Sequence, residues 1–218
     1  MIRLVDIAKS YPSRGGRKTI LSGASFTFER GRSTALIGPN GAGKSTLMRL
    51  ISGAELPDRG RVERFASVSW PLGFAGGLHG QLSAEENVAF VSRLYGVDYR
   101  ETLAFVQDFA DIGRNMANPV KTYSSGMRAR VAFGLSMAIN FDYYLIDEVI
   151  AVGDISFRRK CREVLETRLS GSTVIMVSHA PAMLREFCTQ ACVLEDQRLL
   201  PFPTISEGWK HYADRQKA

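Results

Sequence analysis

The chain has 218 residues, 45% of them hydrophobic, which is enough for one sizeable core and excludes a disordered chain. Its longest uncharged apolar run, Val131 to Phe141, contains Ser136 and Asn140 and is too short to cross a bilayer. The net charge of +6 suits nucleic acid or an anionic membrane, but the basic residues are spread along the chain, and their one cluster, Arg158-Arg159-Lys160 with Arg162, reads as a solvated helix face.

Met1 to Asp6 lacks the apolar core of a signal peptide, so the chain is expected in the cytosol or on a cytosolic membrane face. Residues 2–11 and 19–28 read as strands around a turn, Pro12-Ser13-Arg14-Gly15-Gly16. Tyr11 ends the first strand. Its position leaves it open between an ordinary strand end and a platform on which a base stacks. Residues 33–38 form a short strand that runs into Gly38-Pro39-Asn40-Gly41-Ala42-Gly43-Lys44-Ser45. This is G-x-x-x-x-G-K-S/T between a strand and a helix. Glycines 38, 41 and 43 let successive N–H groups curl around one anion, and the helix that begins there adds the positive end of its dipole. Lys44 supplies a charge for the β- and γ-phosphates, and Ser45 a hydroxyl for Mg²⁺. A bound nucleoside triphosphate is the expectation.

In the helix that follows, Leu47, Leu50, Ile51 and Ala54 mark one face, with Gly53 as its C-cap. Pro57 to Gly60 is a turn, and residues 61–70 look extended. Trp70 to Leu78 is apolar and Gly-rich, and two readings stay open for it: buried loop packing, or a surface that docks another protein. Ser83-Ala84-Glu85-Glu86 forms a capping box, after which Val88, Val91, Leu94 and Tyr95 recur at helical spacing. Residues 99–110 are a further helix. A helical block from about 80 to 139 therefore interrupts the α/β pattern. Tyr123-Ser124-Ser125-Gly126-Met127 opens the next helix, either as a plain Ser N-cap or as a second anion site.

Tyr143 to Asp147 and Glu148 read as an apolar strand ending in two acids, in the crevice where α/β sheets bind ligands. Beside a phosphate loop, Asp147 is placed to hold Mg²⁺ and Glu148 to activate water. Val174 to Val177 is another buried strand, and His179 follows it at the same rim. Cys188 and Cys192 sit at helical spacing with no His at metal-ligand spacing, so all the cysteines are expected as buried thiols. Residues 191–195 are expected as an edge strand and 204–214 as a closing helix.

Taken in order, Tyr11, Gly38 to Ser45, the helical insert, Ser124 to Gly126, Asp147-Glu148, Asp154 and His179 resemble the ATP-binding subunit of an ABC transporter over essentially the whole chain. The resemblance implies an α/β fold: a P-loop NTPase (RecA-like) core, an N-terminal antiparallel β region and an inserted α-helical subdomain. It implies one domain over 1–218, with core at about 1–79 and 140–218 and the helical subdomain at about 80–139. It implies ATP and Mg²⁺. Tyr11 would stack on adenine. Gly38, Pro39, Asn40, Gly41, Ala42, Gly43, Lys44 and Ser45 would cradle the phosphates, with Thr46 beside them. Ser45 and Asp147 would hold Mg²⁺, Glu148 would be the general base, and His179 would contact the γ-phosphate. Asp154 would bridge a dimer interface, and Ser124 and Gly126 would close over the nucleotide of a second copy.

Two departures from the family pattern stand out. The signature loop, usually Leu-Ser-Gly-Gly-Gln, reads Tyr123 to Met127, with only Ser124 and Gly126 matching. The Gln that usually follows the strand ending near Trp70 is missing, and Gln81 comes too late to replace it. These departures, with Asp-Glu followed by Val149, resemble the ATPases of capsular polysaccharide exporters of the polysialic acid type. The stretch after His179 is too short for the carbohydrate-binding domain common in O-antigen exporter ATPases. The implied partners are a second copy and an integral membrane permease, at the cytoplasmic face of a bacterial inner membrane. Nucleic acid is not expected, and contact with the polysaccharide is expected to be indirect. The alternatives are an O-antigen or teichoic-acid-type exporter ATPase, or a soluble non-transport ABC ATPase.

Overall fold

A computed structural model describes residues 1–72, 77–147, 155–178 and 180–217. In chain order the strands are β1 (Ile2–Ser13), β2 (Gly16–Phe28), β3 (Thr34–Ile37), β4 (Arg59–Arg64), β5 (Tyr143–Asp147), β6 (Thr173–Val177), β7 (Gln190–Glu195) and β8 (Arg198–Phe202). The helices are α1 (Lys44–Ser52), α2 (Ala84–Tyr95), α3 (Tyr99–Ala110), α4 (Ser125–Ala138), α5 (Ile155–Leu169), α6 (Pro181–Phe187) and α7 (Ile205–Lys217). Two compact units result. One comprises Met1–Pro71, Phe141–Glu148 and Gly171–Ala218, and the other Leu72–Asn140 and Val149–Ser170.

The first unit holds two sheets. A three-stranded antiparallel sheet has the order β2-β1-β4, and a five-stranded sheet the order β5-β6-β3-β7-β8. Strands β5, β6, β3 and β7 run parallel, and only β8 is antiparallel. The central strands are apolar along their whole length, as strands covered on both faces must be: every residue of β3 and β6 is buried. Helix α1 buries Leu47, Met48, Leu50 and Ile51 completely, in a core they share with Ile2, Leu4 and Phe28 of the antiparallel sheet and Leu145 and Ile175 of the parallel one. Gly53 ends α1 with φ of 85°, a left-handed cap. Ala54 lies beyond that cap and is exposed, so the apolar face stops at Ile51.

The β1–β2 hairpin is tighter than the sequence pattern suggests. Ser13 pairs with Gly16, so only Arg14 and Gly15 form the loop. The expected extended stretch 61–70 is split: β4 ends at Arg64, and Val68 then bridges to Tyr143 beside β5. Residues 191–195 form an interior strand rather than an edge, because β8 covers β7 on its outer side.

The second unit is helical. Ser83 and Glu86 cap α2 reciprocally, and the Asp98 side chain accepts from the Glu101 N–H at the start of α3. Phe109 of α3 stacks on Phe133 of α4 at 5.4 Å and meets Phe157 of α5 edge-on at 5.3 Å. Of the residues read as one apolar face of α2, Val88 and Val91 are buried, but Leu94 is 65% and Tyr95 41% exposed. Near the start of this unit Leu72 and Leu78 are buried, and in the first unit the Trp70 indole packs edge-on against Phe141 at 5.6 Å. These described flanks of the Gly-rich stretch are packed, while Phe74 lies outside the described residues.

Candidate functional site

The parallel register fixes where the site must lie. Asp147 pairs with Val177, and Ala35 pairs with Met176, so β3, β5 and β6 end at nearly one level. The loop Gly38 to Gly43 leaves the sheet there, at the carboxyl ends of the strands. Glycine is required at two positions of this loop by space. A β-carbon at Gly38 would lie 2.6 Å from the Leu194 carbonyl oxygen, and one at Gly43 would lie 2.1 Å from Ile20 Cγ2. Gly41 and Gly43 also hold φ of 77° and 109°, which side chains rarely adopt.

Gly43 is the N-cap of α1 and offers no side-chain acceptor to the first turn, and that turn contains no acidic residue. A helix start without side-chain cap or carboxylate suits an external anion. Lys44 Nζ donates to the carbonyl oxygens of Gly38 at 2.7 Å and Pro39 at 3.0 Å, which holds the ammonium against its own loop. Ser45 is exposed, whereas Thr46 is buried.

A cleft of about 410 Å³ brings Tyr11, Asn40, Gly41, Gly43, Lys44, Ser45, Thr46 and Asp147 together. That size lies within the usual range for small-molecule sites. Among the described residues, no three metal-ligating side chains cluster. The donor set of one hydroxyl and one carboxylate nevertheless fits Mg²⁺, which commonly binds through one or two protein oxygens plus substrate phosphates. Glu148, Asp154 and His179 lie outside the described residues.

Tyr11 stands in one wall of this cleft, and its hydroxyl is fully engaged. It donates to the Glu55 carboxylate, with oxygens at 2.6 and 2.7 Å, and accepts from Arg49 Nη2 at 3.2 Å. In the helical unit, Ser124 is the N-cap of α4, accepting from the Met127 N–H at 3.2 Å, and both Ser124 and Ser125 are exposed. Tyr123 occupies the place of the usual leucine. It is buried, and its hydroxyl donates to the Asn115 carbonyl, so the larger polar side chain is satisfied there.

Three cleft residues, Lys18, Ile20 and Val177, are not among the site residues the sequence pattern points to. The signal for Lys18 lies in the hairpin: a two-residue loop at 14–15 pairs residue 11 with residue 18, and direct antiparallel partners share a face. A five-residue turn over 12–16 hides that pairing. All three cysteines are buried, and Cys188 follows α6 while Cys192 lies in β7, so they share no helix.

A profile of the family described as "ABC transporter" matches residues 21–151. The capsule polysaccharide export ATP-binding protein CtrD of Neisseria meningitidis serogroup B is 43% identical over 212 residues, covering 97% of this chain and 98% of its own. The polysialic acid transport ATP-binding protein KpsT of Escherichia coli is 45% identical over 215 residues, covering 97% and 96%. Among solved structures, the ATP-binding cassette MJ0796, a dimer in a post-hydrolysis state bound to ADP and Pi, superposes with a TM-score of 0.77 at 21% identity, covering 94% of this chain and 99% of that one.

Proposed function

Because the chain belongs to the ABC transporter ATP-binding family, we propose that it is the ATP-hydrolysing subunit of an exporter of lipid-linked capsular polysaccharide. The observation that carries the nucleotide chemistry is the single cleft joining the α1 start, Lys44, Ser45 and Asp147. The cargo class rests on the full-length similarity to the capsule and polysialic acid relatives.

In this reading ATP lies with its phosphates over the start of α1. Backbone N–H groups of the loop and the Lys44 ammonium take up their charge. Ser45 and Asp147 hold Mg²⁺, which neutralises charge developing on the phosphate oxygens. The Tyr11 ring faces the base. Glu148, next in the chain after Asp147, accepts a proton from the attacking water, and His179 lies near the γ-phosphate. Ser124 and Gly126 of a second copy close over the same nucleotide, so that ATP binding joins two copies and hydrolysis parts them. Ser124 and Ser125 are exposed residues, which supports that role.

Among the described residues no helix is long and apolar enough to cross a membrane. The crossing then falls to a separate integral membrane subunit, with this chain peripheral at the cytoplasmic face of the inner membrane. Contact of this chain with the polysaccharide is indirect.

Complementation tests the reading. A strain lacking a capsule-export ATPase of the CtrD or KpsT type should regain surface polysaccharide with this chain and its own membrane partner, and should fail with Lys44→Ala. Rescue by Lys44→Ala would sink the claim that export here runs on ATP bound at this loop.

A further inference from the structure

Behind Tyr11 lies a polar cluster centred outside the phosphate loop. Its hub is Glu55, in the loop after α1. Three donors converge on that carboxylate: the Tyr11 hydroxyl at 2.6 and 2.7 Å, Lys9 Nζ at 3.0 Å and Arg49 Nε at 3.0 Å. The Glu55 side chain is only 20% exposed and that of Lys9 12%, so the ion pair is partly withdrawn from water. Burial alone would raise the Glu55 carboxyl, but the hydrogen bonds from Tyr11, Lys9 and Arg49 outweigh it and hold the group at about 2.

The cluster joins two pieces of chain that are distant in sequence. Lys9 and Tyr11 belong to β1, and Arg49 belongs to α1. Arg49 Nη2 also donates to Thr46 Oγ1 at 3.2 Å, one residue from Ser45. The bonds therefore run without a break from the aromatic wall of the cleft to the helix that begins at the phosphate loop. The Lys9 ammonium also lies over the Tyr11 ring, 5.4 Å from its centroid.

We infer that Glu55 is a positioning residue for the nucleotide base: it holds the Tyr11 hydroxyl, fixes the plane of the ring and sets that plane relative to α1. The inference rests on the reading that Tyr11 meets the base. A tyrosine has two free torsions, and anchoring both ends of the side chain removes most of that freedom before ligand arrives. The ordering cost is then met in folding rather than in binding, which strengthens base contacts without adding one. The carboxylate suits this task because it accepts from all three donors at once.

The test compares two probes, ATP and inorganic tripolyphosphate, which has the phosphates and no base. Glu55→Gln and Tyr11→Phe each loosen the tether while keeping side-chain volume, and thermal unfolding checks that both fold. Each should raise the Kd for ATP by about three- to tenfold, the range expected for one lost anchoring bond, and leave that for tripolyphosphate unchanged. In the double variant the losses should be less than additive, since both changes weaken the Tyr11–Glu55 bond. Equal losses for both probes would make the cluster merely structural and overturn the proposal, as would no loss for either. Tyr11→Ala separates the two levels. If it leaves ATP affinity intact, Tyr11 is not the base platform and the underlying reading falls. If it weakens ATP alone while Glu55→Gln and Tyr11→Phe do not, the platform stands and the tether is refuted.

Discussion

Gly43 and Ile20 leave no room for a β-carbon between them: one built on Gly43 would lie 2.1 Å from Ile20 Cγ2. Ile20 comes from β2 and Gly43 is the residue before α1, so this contact presses the hairpin against the phosphate loop. Gly43→Ala should cost about 1–3 kcal/mol by overpacking, with a further penalty for φ of 109°. Calorimetry should show ATP binding lost or much weakened. Adding Ile20→Ala relieves the clash but not the backbone strain, so it should restore binding only in part. Full recovery would mean that φ at this position is unimportant.

Arg64 caps the far end of α1. Its Nε donates to the Ile51 carbonyl at 2.6 Å, and its Nη2 donates to the Leu50 carbonyl. A cation at a helix C-terminus also meets the negative end of the dipole. Arg64→Ala should lower stability by about 1–3 kcal/mol, roughly 2–4 °C in Tm for each kcal/mol in a chain of this size. Arg64→Lys, without the planar fork, should recover less than half. A Tm unchanged by the alanine variant would show that this cap contributes nothing.

Burial pushes the thiols of Cys161, Cys188 and Cys192 up to about 12. The thiolate is the reactive form, so at pH 8 the native protein should resist alkylation for hours, and ATP should slow it further by favouring the folded state. Labelling should appear at the unfolding transition, with three thiols per chain. Fast labelling of the native protein would contradict the packing around these strands and helices.

Glu55 also makes a prediction about acid. Its folded value, about 2, lies below its ordinary 4.5, so the unfolded chain binds the proton more readily. The stabilisation is therefore present above about pH 4.5 and is lost as pH falls towards 2. Between pH 6 and 3 the wild-type Tm should fall further than that of Glu55→Gln, which carries no titrating group there. Parallel curves would show that the carboxylate is not held in this way.

Much of the described cleft, and the start of α2 in the helical unit, is legible in the amino-acid sequence. The loop from Gly38 to Ser45, the strand ending at Asp147 and the Ser83–Glu86 box all lie in short segments whose chemistry is local. What escapes a reading of the sequence depends on contacts between distant segments. Strand β8 is hidden because the turn before it, Asp196-Gln197 at φ of 46° and 65°, has Gln where hairpin signals call for Gly, and because Pro201 argues against a strand. Helical spacing groups Leu94 and Tyr95 with Val88, but spacing names a face and not what covers it. Lys9 and Tyr11 share a strand face, but no spacing links them to Arg49 and Glu55, and only the packing of β1 against α1 brings the four together.

In the proposed function this cleft hydrolyses ATP with Glu148 as the base. The most direct measurement is steady-state ATP turnover by the purified wild type and by Glu148→Gln, with ATP affinity measured on the same samples. Turnover should fall by about 10²–10⁴-fold, the usual contribution of a positioned base, while ATP binding persists and pairs of copies accumulate. Turnover at the wild-type rate in Glu148→Gln would show that Glu148 is not the base.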